Sequence, residues 1–200
     1  MSGYSDTRTP TMPSSVKIVV SGGHGVGKTT FIGAVSDIEP LVTEAAATEI
    51  VVDADDPGNW ADDPRPGIAL DVGRIALDSS LLLYLFGAPA EDDLALLWDE
   101  LVDGALGTVI VVDTDRVDDC HPVLDYCAER GTPFVVAVNR VDGGAHLDLA
   151  AIRAALGLGH RIPVLDCDAR QRDSVKKVLV TLAEQVVSHR VDHLTARTAG

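Results

Sequence analysis

The sequence predicts an α/β domain with a mostly parallel sheet of six strands and helices on both faces. Short apolar runs typical of buried strands alternate along the chain with stretches whose apolar residues recur at helical spacing. The first run, at 16–21, leads directly into a glycine-rich segment and a helix. The length of 200 residues suits one domain with a substantial core. We expect this domain at 16–190, between a disordered leader at 1–15 and a C-terminal tail at 191–200.

The predicted elements follow one another in a regular order. The strands are expected at 16–21, 68–77, 81–86, 108–112, 134–138 and 162–165. The helices are expected at 28–36, 93–102, 117–129, 147–156 and 174–189. The connection at 37–66 is too long for simple linkage in a compact domain, so we look for function there.

Composition narrows the class of protein. The net charge of -15 and the pI of about 4.5 argue against a surface for nucleic acid or anionic membrane, since both need clustered Lys and Arg. Cys120, Cys127 and Cys167 lack metal-ligand spacing, and an odd count does not make a disulfide framework. The N-terminus lacks the layout of a signal peptide, and no segment has the length and apolarity of a membrane span. We expect a cytoplasmic protein.

A phosphate-binding loop follows the first strand. The pattern Gly22-x-x-x-x-Gly27-Lys28-Thr29 is typical of loops whose backbone N–H groups cradle phosphates. Lys28 would supply a cation for the β and γ phosphates, and the Thr29 hydroxyl would ligate Mg²⁺. The helix that begins here adds its positive end. The predicted nucleotide contacts in this loop are Gly22, Gly23, His24, Gly25, Val26, Gly27, Lys28, Thr29 and Thr30.

Two later motifs predict recognition of the base. Asn139 follows a buried strand and can brace the phosphate-binding loop, while Asp142 can accept two hydrogen bonds from guanine N1 and N2. Adenine lacks that donor pair, so Asp142 would select guanine. The long stem of Arg140 can pack over the base. A third contact follows the last strand and comprises Asp168, Ala169 and Arg170, with the Ala169 N–H available to guanine O6.

With these motifs in this order, the chain resembles the Ras-like small GTPases over residues 16–190. The stretches SGGHGVGKTTFIGAVSDIEPLVTEA, ALDVGRIALDSSLLLYLFGAP and VVVDTDRVDDCHPVLDYCAERGTPFVVAVNRVDG are similar to the small GTP-binding subunit encoded in actinobacterial conservon operons. The resemblance implies a Ras-like fold that binds GTP or GDP with Mg²⁺. It also implies signalling with a roadblock-type protein and a histidine-kinase-like sensor, through which the chain would contact the inner face of the membrane.

The groups that sense and hydrolyse the γ-phosphate in small GTPases are largely replaced. The threonine before the second strand corresponds to Gly67, and the Asp-x-x-Gly-Gln motif corresponds to GAPAE at 87–91. Glu91 is the candidate for orienting water, although its charge is unfavourable near a γ-phosphate. Arg65 is the candidate for stabilising transition-state charge, and Lys28 completes the predicted catalytic set.

We therefore expect a guanine-nucleotide-binding signalling protein whose hydrolysis of GTP is slow or impaired. Two alternatives stay open: a module that holds a nucleotide without hydrolysing it, and an ATP-using ATPase or kinase if the Asn139 motif is accidental. Asp71 and Asp113 are further candidates for outer-shell metal partners, with a strand carboxylate and a turn former as their simpler interpretations.

Overall fold

Seven strands form one sheet in a computed structural model that describes residues 13–39, 41–45, 68–89, 95–140 and 148–198. The strands are β1 (Ser14–Ser21), β2 (Leu41–Ala45), β3 (Ile68–Ala76), β4 (Leu81–Gly87), β5 (Ala105–Asp113), β6 (Phe134–Asn139) and β7 (Val164–Cys167). The α-helices are α1 (Lys28–Val35), α2 (Ala95–Val102), α3 (His121–Arg130), α4 (Leu149–Ala155) and α5 (Arg172–Thr198). A 3₁₀ helix at Val117–Cys120 leads into α3.

The sheet has the order β2-β3-β4-β1-β5-β6-β7. Strands β4, β1, β5, β6 and β7 are parallel to one another. Strand β3 runs antiparallel to both β2 and β4. This arrangement confirms the predicted α/β class with a mostly parallel sheet. Because the parallel strands end at one edge of the sheet, their loops converge there.

Strand β2 is the one strand of this sheet that the sequence pattern did not predict. It lies inside the expected connection at 37–66 and pairs with β3 from Leu41 opposite Val72 to Ala45 opposite Ile68. Five residues carry too little periodicity to identify a strand. Pairing with the edge of β3 supplies the backbone hydrogen bonds that make this segment a strand.

Helices cover both faces of the sheet, and β5 shows how the core is divided between them. Val109 and Val111 pack in the cluster that contains residues of α1 and α5, while Ile110 and Val112 pack in the cluster that contains residues of α3 and α4. Successive side chains of a strand point to opposite faces, so a strand covered on both sides is apolar at every position. All four of these side chains are buried.

Several predicted boundaries shift. Strand β1 begins at Ser14, inside the expected leader, and residues 1–12 lie outside the described part. Strand β5 begins at Ala105, and β7 extends to Cys167 because it pairs with the end of β6. Helix α5 continues through Thr198, nine residues beyond its expected end and into the segment assigned to a tail.

Hydropathy and burial give one further finding each. Among the described residues, no helix has the length and apolarity to cross a membrane. The three cysteines are buried free thiols, and burial raises the pKa of Cys120 and of Cys127 to about 11. These two thiols are therefore protonated at neutral pH, which makes them poor nucleophiles.

A pair of valines on α5 tests which side of this helix holds the core. Val178 is fully buried, whereas Val180 is 58% exposed. We expect Val178→Ala to lower the free energy of unfolding by about 2 kcal/mol, because it removes two buried methyl groups. The matched Val180→Ala should change it by less than about 0.5 kcal/mol. Urea denaturation measures both, and equal effects would contradict the packing described here.

Candidate nucleotide-binding site

The phosphate-binding loop lies between β1 and α1, at the convergent edge of the sheet. Gly22 and Gly27 have φ values of 139° and 103°, which side chains rarely adopt. A Cβ on Gly22 would lie 2.1 Å from the backbone oxygen of Val111, and one on Gly27 would lie 2.6 Å from Nδ2 of Asn139. Both positions therefore require glycine if the loop is to lie directly against β5 and β6.

The ammonium group of Lys28 is held inside this loop. Its Nζ donates to the carbonyl oxygen of Gly22 at 2.9 Å and to that of Gly23 at 2.8 Å. Within the described residues these are its hydrogen bonds, so one of the three donors of an ammonium remains for a phosphate oxygen. Burial lowers the pKa of Lys28, and the nearby Asp71 carboxylate opposes that shift. The arrangement places a positive charge beneath the loop backbone.

The side chain of Asn139 connects two loops. Its Nδ2 donates to the carbonyl oxygen of Val26 at 2.8 Å, and its Oδ1 accepts from the Ala169 N–H at 3.0 Å. The amide is buried, so these partners satisfy groups that would otherwise be costly to remove from water. The Ala169 N–H predicted to meet guanine O6 is thus engaged by Asn139, and a base could use it only by sharing or replacing this bond.

Ion pairs order the charged side chains around the base-recognition motifs. Asp168 accepts from Nε of Arg170 at 2.9 Å and from its Nη2 at 3.0 Å, and Arg170 lowers the pKa of Asp168. Arg140 donates through Nε to Oδ1 of Asp166 at 2.6 Å. Exposed pairs of this kind add little stability. These contacts orient the side chains of Arg140 and Arg170.

Thr29, the predicted Mg²⁺ ligand, contacts a carboxylate from another strand. Its Oγ1 donates to Oδ2 of Asp71 at 2.5 Å. Asp71 lies on β3, opposite Gly87 at the end of β4. Hydroxyl and carboxylate oxygens are the donors that Mg²⁺ prefers, and phosphates and water commonly complete its shell. This donor set fits the ion, although no group of three or more His, Cys, Asp or Glu that could hold a metal occurs in the described part.

Arg116 is a residue at the site that the sequence analysis missed. It follows β5, and its Nη2 donates to the carbonyl oxygen of His24 in the phosphate-binding loop. Its Nε lies 3.6 Å from Oδ2 of Asp119, and both side chains are exposed. The signal that could have identified it is its place just after a parallel strand, since such loops reach the same edge of the sheet. The guanidinium lies beside a loop shaped for anions.

The remaining predicted residues divide into two groups. The side chains of His24 and Thr30 are exposed, and Gly25 and Val26 lie within the loop. Arg65, Gly67, Glu91 and Asp142 lie outside the described residues, so their roles stay predictions. The structure thus brings together the phosphate-binding loop, Asn139 and the segment at 168–170.

Solved structures of other proteins share this fold. The chain is similar to the G domain of the T. maritima FeoB iron transporter, with a TM-score of 0.56 and 19% identity over 88% of this chain and 99% of that one. The FeoB G-domain from Methanococcus jannaschii gives 0.55 and 15% identity, covering 86% and 98%. An S. thermophilus NFeoB mutant bound to GDP gives 0.58 and 20%, covering 88% of this chain and 63% of that one. The fold is therefore that of the P-loop GTPase domains.

The family follows from the sequence of the second part of the chain. Residues 67–189 match the family described as "conserved hypothetical ATP binding protein", and the chain belongs to this family. The match covers more than half of the chain and begins after the phosphate-binding loop. No curated protein sequence matches the chain. The chain is thus a member of a nucleotide-binding family with a P-loop GTPase fold.

Removal of the Asn139 amide tests whether the two loops depend on it. We expect Asn139→Ala to lower the free energy of unfolding by about 1–3 kcal/mol, since it leaves the Val26 carbonyl and the Ala169 N–H without this partner. Nucleotide affinity should fall by about tenfold or more, because the phosphate-binding loop loses its support. Thermal unfolding and nucleotide titration measure the two effects.

Ser188→Ala is the control for this variant, because Ser188 also donates a hydrogen bond but lies exposed on α5. Its nucleotide affinity should equal that of the unmodified chain. Unchanged affinity in Asn139→Ala would show that the phosphate-binding loop holds its conformation without the amide.

Proposed function

We propose that this chain binds GTP and GDP with Mg²⁺ and acts as a small GTPase in signalling, with slow or impaired hydrolysis of GTP. The supporting observation is the Asn139 amide, which contacts both the phosphate-binding loop and the loop at 168–170. This link sets the end of β6 beside the phosphate site. Asp142 follows three residues later in the chain, and its carboxylate suits the N1 and N2 donors of guanine.

The family description gives a reason to test adenine nucleotides as the second candidate. Its words name ATP binding, and the matched residues include Asn139 and Asp142 but not the phosphate-binding loop. The phosphate site itself does not distinguish the two bases, because it would contact only phosphates and Mg²⁺. The choice therefore depends on Asp142, since adenine has no pair of donors for its carboxylate.

In the proposed mechanism, the main contribution of the chain is to bind and position the phosphates. Lys28 and the N–H groups at the start of α1 stabilise the negative charge of the β and γ phosphates, and Thr29 holds the ion. When bound, Mg²⁺ neutralises charge that develops on those phosphates. Glu91 corresponds in sequence to the glutamine with which small GTPases orient water, and its negative charge would be unfavourable near the γ-phosphate. Slow turnover follows, with Arg65 as the candidate for stabilising the transition state.

The proposed partners rest on the sequence resemblance to the conservon GTP-binding subunits. A roadblock-type protein and a histidine-kinase-like sensor would bind a surface of this chain that changes with the bound nucleotide. The net charge of -15 disfavours direct binding to an anionic membrane, so membrane contact would occur through these partners. Cytoplasmic location at the inner face follows from the same proposal.

Base selectivity tests the proposed ligand. We expect GDP to displace a fluorescent guanine nucleotide at a concentration at least about tenfold lower than ADP, because each hydrogen bond to a charged group contributes about 1.5–3 kcal/mol. Asp142→Ala should remove most of this preference, and Lys28→Ala should weaken both nucleotides. Asp148→Ala is the matched control, since Asp148 is an exposed carboxylate six residues away in the chain. Equal or tighter binding of ADP by the unmodified chain would favour the ATP-using alternative.

Single-turnover hydrolysis tests the proposed activity. With protein in excess over GTP, we expect phosphate release slower than about 10⁻⁴ s⁻¹, the order of magnitude for small GTPases that act without a partner, because the groups that hydrolyse GTP are largely replaced. Arg65→Ala should slow it, whereas Arg190→Ala, an exposed arginine on α5, should not. A rate equal to that in buffer would favour the alternative of a module that holds nucleotide without turnover.

A further inference from the structure

We propose that Asp71 supplies the carboxylate of the Mg²⁺ site from β3, in place of one at the end of β4. In P-loop GTPases the ion is held by the loop Ser or Thr and by a strand-end Asp. Here β4 ends at Gly87, which offers no carboxylate. The inference rests on the proposed function, because Mg²⁺ would enter this site with the nucleotide.

The contact between Thr29 and Asp71 has the polarity that such a site needs. The Thr29 hydroxyl donates a hydrogen bond to Oδ2 of Asp71, and the distance of 2.5 Å is typical of a charge-assisted O–H···O⁻ bond. The lone pairs of the hydroxyl oxygen stay available to a cation while its proton is held by the carboxylate. An outer-shell carboxylate that orients a metal ligand in this way strengthens metal binding.

The position of Asp71 across from Gly87 explains how a neighbouring strand can take over this task. The two residues are paired in the antiparallel register of β3 and β4, so their side-chain positions lie on the same face. A Cβ built on Gly87 would lie 3.0 Å from Cβ and 3.4 Å from Oδ2 of Asp71. It would also lie 3.1 Å from Cδ1 of Ile32. The space that a carboxylate on β4 would enter is therefore occupied by the one from β3.

Charge supports the same assignment. Asp71 acts on Lys28 as a nearby negative charge, so its carboxylate faces the cation of the phosphate site as well as Thr29. A carboxylate beside these groups would be repelled by bound phosphates, because like charges at short range are unfavourable. A divalent cation between the carboxylate and the phosphates removes that repulsion. The simpler role, in which Asp71 only stabilises the N-terminus of α1, predicts no dependence on the ion.

The test measures how Mg²⁺ changes the release of a fluorescent GDP. In the unmodified chain, we expect release to be slower with Mg²⁺ than with EDTA. In Asp71→Ala and in the isosteric Asp71→Asn, this slowing should shrink by about tenfold or more, as for other residues that orient a metal ligand through a hydrogen bond. Release in EDTA should change little, because Lys28 and the loop backbone still hold the phosphates.

A double variant moves the carboxylate back to β4. Asp71→Gly combined with Gly87→Asp frees the space between the strands and places an Asp at the strand end. We expect it to recover a large part of the Mg²⁺ effect that the single Asp71 variants lose, which a merely structural role of Asp71 does not predict. Asp99→Ala, an exposed carboxylate on α2 paired with Arg130, is the control and should keep the full effect.

Each outcome bears on a different claim. A full Mg²⁺ effect in folded Asp71→Asn would overturn the assignment of Asp71 and leave the proposed function intact. Failure of the unmodified chain to bind GDP, or GDP release that is indifferent to Mg²⁺, would overturn the proposed ligand set and this assignment with it. Thermal unfolding of each variant shows whether it is folded before its release rates are compared.

Discussion

The site depends on one buried amide. Asn139 ends the buried strand β6, donates to the phosphate-binding loop at Val26 and accepts from Ala169 on the loop after β7. An amide can do this because it offers a donor and an acceptor on one rigid group. Its burial makes both bonds costly to break. The loop is consequently set against β5 and β6, where only glycine at positions 22 and 27 leaves enough room.

The same convergence of strand ends brings groups from distant segments to the phosphate-binding loop. Loops and strand ends from different parts of the chain meet at one edge of a parallel sheet. A carboxylate on β3 can therefore stand beside a hydroxyl on α1, as Asp71 does beside Thr29, and an arginine after β5 can reach the loop at His24. A charged group can therefore reach this edge from more than one strand.

Sequence patterns predicted most of the fold because the buried strands and helices carry strong periodicity. The runs that became β4, β5 and β6 are apolar at nearly every position, which is the mark of strands covered on both faces. Strand β2 was not predicted, because its five residues are too few to show a clear pattern. Backbone pairing with β3 makes this segment a strand. The site motifs around Lys28 and Asn139 were recognisable because their spacing is local. Arg116 and the contact of Asp71 were not, because each joins segments far apart in the chain.

The sequence by itself determined the class of fold and the phosphate-binding loop, and it is the source of the prediction that Asp142 selects guanine, since these depend on periodicity and on short, fixed spacings. Only the tertiary structure decided which carboxylate lies beside Thr29 and that the Ala169 N–H is engaged by Asn139. These facts follow from the register of β3 against β4 and from the packing of loops at one sheet edge. Register and loop packing are set by contacts between distant residues, and no local pattern encodes them.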